Sequence, residues 1–189
     1  MVDMSKVAGV LMGMALLLAL TCDAGDLPWY AGTSGALLLP GNGNSLRRAA
    51  EVSAHAGCYA SEYLAWEVGG VCTPNISSHD GHGSLSGAFA RGLYHLSGIE
   101  AFDKLFGCER FDPFVTFGGG ARFGSRHVFA AESHRVAAGP VLGFGAYYHL
   151  TERLDLRFDA QSMLCCDSPC GMLYSAGVGL QWSFGGGGE

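Results

Sequence analysis

The stretch Tyr174-Ser175-Ala176-Gly177-Val178-Gly179-Leu180-Gln181-Trp182-Ser183-Phe184 changes character at every residue. In an extended chain successive side chains point to opposite faces, so Tyr174, Ala176, Val178, Leu180, Trp182 and Phe184 share one side. Ser175, Gly177, Gly179, Gln181 and Ser183 share the other. One face suits lipid and the other suits a crowded polar interior. Period-two alternation over about ten residues, closed by aromatics, is what a tilted strand of a transmembrane β-barrel requires.

Working back along the chain, seven more segments read as strands. They are Trp29 to Leu39, Arg48 to Tyr59, Tyr63 to Cys72, about Leu85 to Leu96, Pro113 to Phe123, Arg135 to Tyr148 and Leu154 to Leu164. The second and third are separated only by Ala60-Ser61-Glu62, which predicts an antiparallel hairpin. The seventh sets Leu154, Leu156, Phe158, Ala160 and Leu164 against Asp155, Arg157, Asp159, Gln161 and Met163. The fourth alternates too weakly for its facing to be assigned, and Pro140 leaves one ladder bond unmade in the sixth. The predicted fold is all-β, an eight-stranded antiparallel up-and-down transmembrane barrel.

The N-terminus reads as an export signal. Lys6 precedes the apolar run Val7 to Leu20, and Thr21-Cys22-Asp23-Ala24 offers a small residue at a cleavage site, so residues 1–24 are expected to be a signal peptide and 25–189 one barrel domain. Ala19-Leu20-Thr21 does not fit the pattern that precedes an acylated cysteine. A net charge of −6 with only 11 Lys and Arg, whose longest cluster is Arg47-Arg48, argues against a nucleic-acid partner. Thirty glycines without a long amphipathic helical pattern fit an all-β chain in which small residues let strands crowd together.

Alternation alone does not separate two kinds of barrel. A secreted barrel of lipocalin type, holding an apolar ligand, hides its apolar face, whereas a membrane barrel gives that face to lipid and its charges to the lumen. Aromatics near strand ends (Trp29, Tyr30, Tyr148, Trp182, Phe184), an even strand count and the export signal favour lipid.

These features come with short motifs: Trp29-Tyr30, the step Phe111-Asp112-Pro113-Phe114 into Gly118-Gly119-Gly120, the turn Leu150-Thr151-Glu152 before Leu154-Asp155-Leu156-Arg157, and the closing strand. Together they resemble the small outer-membrane β-barrel proteins related to the membrane domain of outer membrane protein A (OmpA-like). The resemblance implies a bacterial outer-membrane location, a structural or narrow-pore, small-solute-permeability role, and no cofactor. Its expected partners are outer-membrane lipids and the barrel-assembly machinery, with the barrel itself a monomer. Ser175, Gly177, Leu180, Trp182 and Phe184 match the family's C-terminal insertion pattern, although Gly185-Gly186-Gly187-Gly188-Glu189 follows the final aromatic.

With both termini periplasmic, as the resemblance implies, the outer loops are Pro40 to Leu46, Thr73 to Ser84, Gly124 to His134 and Cys165 to Gly171. His79, Asp80 and His82 are read as a solvated loop rather than a metal site, and Asn75-Ile76-Ser77 as a chance sequon. The connection Ser97 to Asp112 is expected to carry a short interfacial helix. Inside the lumen, Glu51, Glu67, Arg122, Arg135, Asp155, Arg157 and Asp159 are expected to form an ion-pair network, because bare charges there would cost several kcal/mol each. The alternative use of the same charges is a gate.

Two disulfide groupings are expected in an oxidising compartment: Cys58 with Cys108 at the periplasmic rim, and two links among Cys72, Cys165, Cys166 and Cys170 at the outer rim. A four-thiolate metal site is the alternative for the outer group. Some relatives modify lipid A with a rim His and Ser, and Glu132-Ser133-His134 invites that comparison. Neighbours on a strand face opposite ways, so no catalytic residue is assigned and the protein is expected not to be an enzyme.

Overall fold

A computed structural model describes residues 28–41, 46–78, 81–97, 99, 110–124, 136–165 and 171–184. Eight strands run in chain order around a closed barrel: β1 (Trp29–Pro40), β2 (Ala49–Tyr59), β3 (Leu64–Ser78), β4 (Gly81–His95), β5 (Phe111–Gly124), β6 (Val136–His149), β7 (Leu154–Leu164) and β8 (Met172–Phe184). Every neighbouring pair is antiparallel, and β1 closes onto β8 with Trp29 opposite Phe184 and Pro40 opposite Leu173. Closure leaves no unpaired sheet edge. We call the end carrying Trp29 and Phe184 the terminal end and the other the far end.

Two terminal-end hairpins are built alike. Ala60 N–H bonds to Leu64 C=O at 2.7 Å and Leu150 N–H to Leu154 C=O at 3.0 Å. In each, a hydroxyl one residue into the turn accepts the N–H three residues on: Ser61 Oγ from Leu64 at 3.1 Å, Thr151 Oγ1 from Leu154 at 3.0 Å. Such local side-chain acceptors make short turns self-sufficient.

The faces follow the alternation. Val52, Phe117, Leu142, Phe144, Phe158, Leu180 and Trp182 are exposed on the outside, Leu142 at 61% and Phe144 at 68%. Glu51, Glu67, Arg91, Arg122, Asp155, Arg157 and Gln181 are buried inside. On β4, whose facing the sequence leaves open, Leu85, Phe89, Arg91, Leu93 and His95 are buried while Ser84, Ser86 and Tyr94 are exposed. Pro140 is outward-facing and exposed, opposite Gly119, and β6 continues through it.

One boundary expectation fails. Thr73 to Ser84, read as a loop, is mostly strand: Thr73 pairs with Leu85, Ile76 with Gly83 and Ser78 with Gly81. The register shifts between Thr73 and Ile76, and this bulge resets the parity so that Thr73 and Ile76, three residues apart, are both buried. Pro74 and Asn75 look like loop formers because they occupy the bulge. Asn75-Ile76-Ser77 therefore lies within β3 rather than in a loop.

The expected signal peptide (1–24), the helix expected within Ser97 to Asp112 apart from its ends, and Gly185 to Glu189 lie outside the described residues.

Packing divides the interior into layers. At the terminal end Tyr30, Ala65, Leu93, Phe114 and Tyr147 form one cluster, with Tyr59 against it. Phe114 and Tyr147 lie 4.7 Å apart between ring centroids, and Tyr30 and Tyr59 meet edge-on at 5.5 Å. At the far end a second apolar cluster includes Leu38, Ile76, Leu85, Val141, Met163 and Leu173. Charged residues fill the space between. Glycine makes room for large interior side chains: a Cβ at Gly32 would meet the His55 ring, and one at Gly57 the Tyr30 ring.

Candidate functional site

The polar layer centres on Glu67 of β3. Arg91, directly opposite on β4, donates Nε–H to Glu67 Oε1 at 2.7 Å, with Nη2 2.6 Å from the same oxygen. Arg157 of β7 reaches across the lumen and donates Nη1–H to Glu67 Oε2 at 2.5 Å. Asp159 holds both guanidinium groups, 3.0 Å from Arg157 Nε and 3.4 Å from Arg91 Nη2. Two cations thus meet two carboxylates, and the cluster neutralises itself. Planar guanidinium groups suit such shared bonding better than an ammonium would.

Neutral groups complete the layer. Arg157 Nη1 lies 3.2 Å from His55 Nε2 and 3.4 Å from Gln181 Oε1. Arg91 Nη1 donates to Gln161 Oε1 at 2.6 Å, and the Gln161 amide passes a bond on to Ser175 Oγ at 3.0 Å. Both guanidinium groups also rest on rings, Arg91 over Phe89 at 4.5 Å and Arg157 over Phe114 at 5.2 Å.

A second ion pair stands apart, toward the far end. Arg122 Nη1 donates to Glu51 Oε2 at 2.6 Å and Nη2 to Oε1 at 3.4 Å, with Thr73 Oγ1 donating to Oε2 at 3.3 Å. Toward the terminal end, His95 Nδ1 meets Asp112 Oδ2 at 2.5 Å and His149 Nδ1 meets Asp155 Oδ1 at 2.7 Å.

Six of the seven expected lumen charges are therefore inside: Glu51, Glu67, Arg122, Asp155, Arg157 and Asp159. They form two separate groups and a rim pair rather than a single network, because Asp155 bonds His149 at the strand end. Arg135 lies outside the described residues. Arg91 was missed because β4 lacks clean alternation. The signal was available in the register, since an inward Glu67 brings its antiparallel partner inward as well. His55 and Gln161 share faces with Glu51 and Asp159 and could have been taken with them.

The lumen arrangement packs and neutralises, and among its described residues no hydroxyl is bonded to an imidazole. Ser175 Oγ is engaged by the Gln161 amide rather than by an imidazole. Glu132, Ser133 and His134 lie outside the described residues. His82 bonds Ser77 at 2.9 Å, and no group of three or more His, Cys, Asp or Glu among the described residues is placed to hold a metal ion; His79 and Asp80 are not among them. Inside the far half of the barrel a cavity of ≈ 20 Å³ is lined by Leu38, Phe89, Arg122, Val141, Gln161 and Ser175 among others. It has room for about one water.

The cysteines depart from one expectation. Cys58 is disulfide-bonded and fully buried, while Cys108 lies outside the described residues. Cys72 carries a free thiol, which overturns its expected place in an outer-rim disulfide. It sits on the outer face of β3, where Ser86 Oγ approaches its sulfur at 4.0 Å, whereas Cys165 is buried in the far-end apolar cluster. The barrel wall separates the two sulfurs. Cys166 and Cys170 are outside the described residues. In β8, Ser175 and Gly177 face the lumen and Leu180, Trp182 and Phe184 are exposed outside.

The closed eight-stranded barrel has counterparts among solved structures. The N-terminal β-barrel domain of Pseudomonas aeruginosa OprF superimposes with a TM-score of 0.61 at 14% identity, over 85% of this chain and 99% of that one. The fold is that of the eight-stranded transmembrane barrels. Neisserial surface protein A is similar at a TM-score of 0.59 and 12% identity, over 84% of this chain and 97% of that one. The outer membrane protein OprG from Pseudomonas aeruginosa matches at 0.58 and 10%, over 85% of this chain and 97% of that one. No protein-family model matches the sequence, and comparison with curated proteins finds no match. The barrel shares its architecture with these proteins at low sequence identity.

Proposed function

We propose that the protein is a structural barrel of the bacterial outer membrane whose lumen is closed to all but the smallest solutes. The observation that carries this reading is the inversion of the usual soluble pattern: exposed Leu142, Phe144, Phe158 and Leu180 outside, paired Glu67, Arg91, Arg157 and Asp159 inside. Strands of 11 to 15 residues meet or exceed the 9–11 or so that a tilted strand needs to cross. The terminal end then faces the periplasm, with its tight turns, and the β3–β4 hairpin stands above the outer surface.

The lumen supports a structural role over a wide pore. Eight strands enclose little more than their own inward side chains, and here those side chains pair with one another along the middle of the barrel. A lipocalin-like carrier needs a ligand-sized apolar cavity, and the cavity that the described residues line inside the lumen measures ≈ 20 Å³. Membrane fractionation with a boiled-versus-unboiled gel shift tests the reading. Outer-membrane residence with a heat-dependent shift is expected; a soluble, unshifted protein would overturn it.

A further inference from the structure

The far-end cluster does something the ion pairs do not. Leu38, Ile76, Leu85, Val141, Met163 and Leu173 come from six different strands, and each is at most 5% exposed. Inward positions of a membrane barrel are expected to be polar. A layer of aliphatic side chains across the lumen has no lipid to face and no charge to bind.

Its position is specific. On β2 the inward residue Glu51, held by Arg122, lies one inward step nearer the terminal end than Ala49, which belongs to the apolar cluster. Among the described residues, the buried side-chain polar atoms without a partner lie in the other half, Tyr30 Oη, His55 Nδ1, His95 Nε2, Tyr147 Oη, Arg157 Nη2 and Gln181 Nε2 among them. Buried groups of this kind are ordinarily met by water. The aliphatic side chains of the layer offer water no hydrogen bond, the polar lining of the one-water cavity beside Leu38 and Val141 coming from Arg122, Gln161 and Ser175, and a constriction lined by such side chains excludes water and ions by dewetting.

We infer that this far-end layer is a dry hydrophobic gate that closes the lumen to water and ions independently of the ion-pair layer beneath it. Rearranging or removing the Glu67–Arg157 pair would therefore leave the barrel closed. Opening requires the aliphatic layer itself to part or to become polar.

The test is made in planar bilayers with the full mature chain, after a heat-shift gel has shown each variant folded. The neutralised double variant Glu67→Gln/Arg157→Gln is expected to conduct no more than the native protein. Adding Leu38→Ser and Leu173→Ser to it is expected to raise conductance at least tenfold. Current through the ion-pair variant alone, or none through the combined variant, would overturn the inference. A second measurement needs no variant and no bilayer: hydroxyl-radical footprinting of the native fold is expected to leave Met163 at least tenfold less oxidised than in the unfolded chain. Equal oxidation in the two states would mean that water reaches the layer, and the dry gate would be lost whatever became of the membrane reading.

Discussion

Arg122 on β5 and Glu51 on β2 lie three strands apart around the wall and bond across the lumen through two nitrogen–oxygen contacts, 2.6 and 3.4 Å long. The pair ties opposite sides of the barrel together. Removing one partner leaves a charge buried without compensation, so Arg122→Met is expected to destabilise by about 3–5 kcal/mol, and Arg122→Met with Glu51→Leu to recover most of that loss. Urea titration of the folded band on unboiled gels checks both. Equal losses for the single and double variants would mean that Glu51 is solvated in the absence of Arg122.

Two glycines predict opposite outcomes. A Cβ at Gly57 would meet the ring of Tyr30 and the carbonyl of Trp66, whereas one at outward-facing Gly35 meets nothing within 4 Å. Gly57→Ala is expected to cost about 1–3 kcal/mol through overpacking. Gly35→Ala is expected to be neutral or stabilising by a few tenths, since alanine has less backbone freedom to lose. The same urea titration compares them.

The outer face is read by charge. Leu142 stands near the middle of β6, 61% exposed. Leu142→Arg is expected to destabilise the inserted barrel by about 2–4 kcal/mol, the cost of arginine near the bilayer midplane. Refolding into vesicles measures it. No loss would place Leu142 outside the hydrocarbon layer.

Thiol chemistry separates the cysteines. The Cys72 thiol on the outer wall is expected to react with a membrane-permeant maleimide in the folded protein, while Cys58 is expected to react only after unfolding and reduction. Peptide mass mapping of labelled protein checks both. Labelling at Cys58 without reductant would contradict its bonded state.

How far the lumen was legible depended on alternation strand by strand. Asp155, Arg157 and Asp159 are separated by Leu156 and Phe158, so their common face could be read directly. Arg91 sits among Ala90, Gly92 and Leu93, where small residues on both faces erase the pattern, and its place opposite Glu67 emerged only from the strand register. Thr73 to Ser84 misled for a related reason. A bulge adds a residue on one strand only, and a parity count that assumes strict period two cannot see it.

By itself the sequence determined the strand number, the order, the antiparallel hairpins and most of the inward set, because these depend on local alternation and on short turns that close within four residues. The tertiary structure alone decided which charges meet. Arg157 reaches Glu67 and Arg122 reaches Glu51 only after closure has curved distant strands around one axis, and no spacing along the chain encodes a distance across a lumen. Closure likewise stacked Leu38, Ile76, Leu85, Val141, Met163 and Leu173 into one apolar layer. Each of these six strands contributes one such aliphatic residue from its far half, unremarkable until the barrel gathers them into one layer.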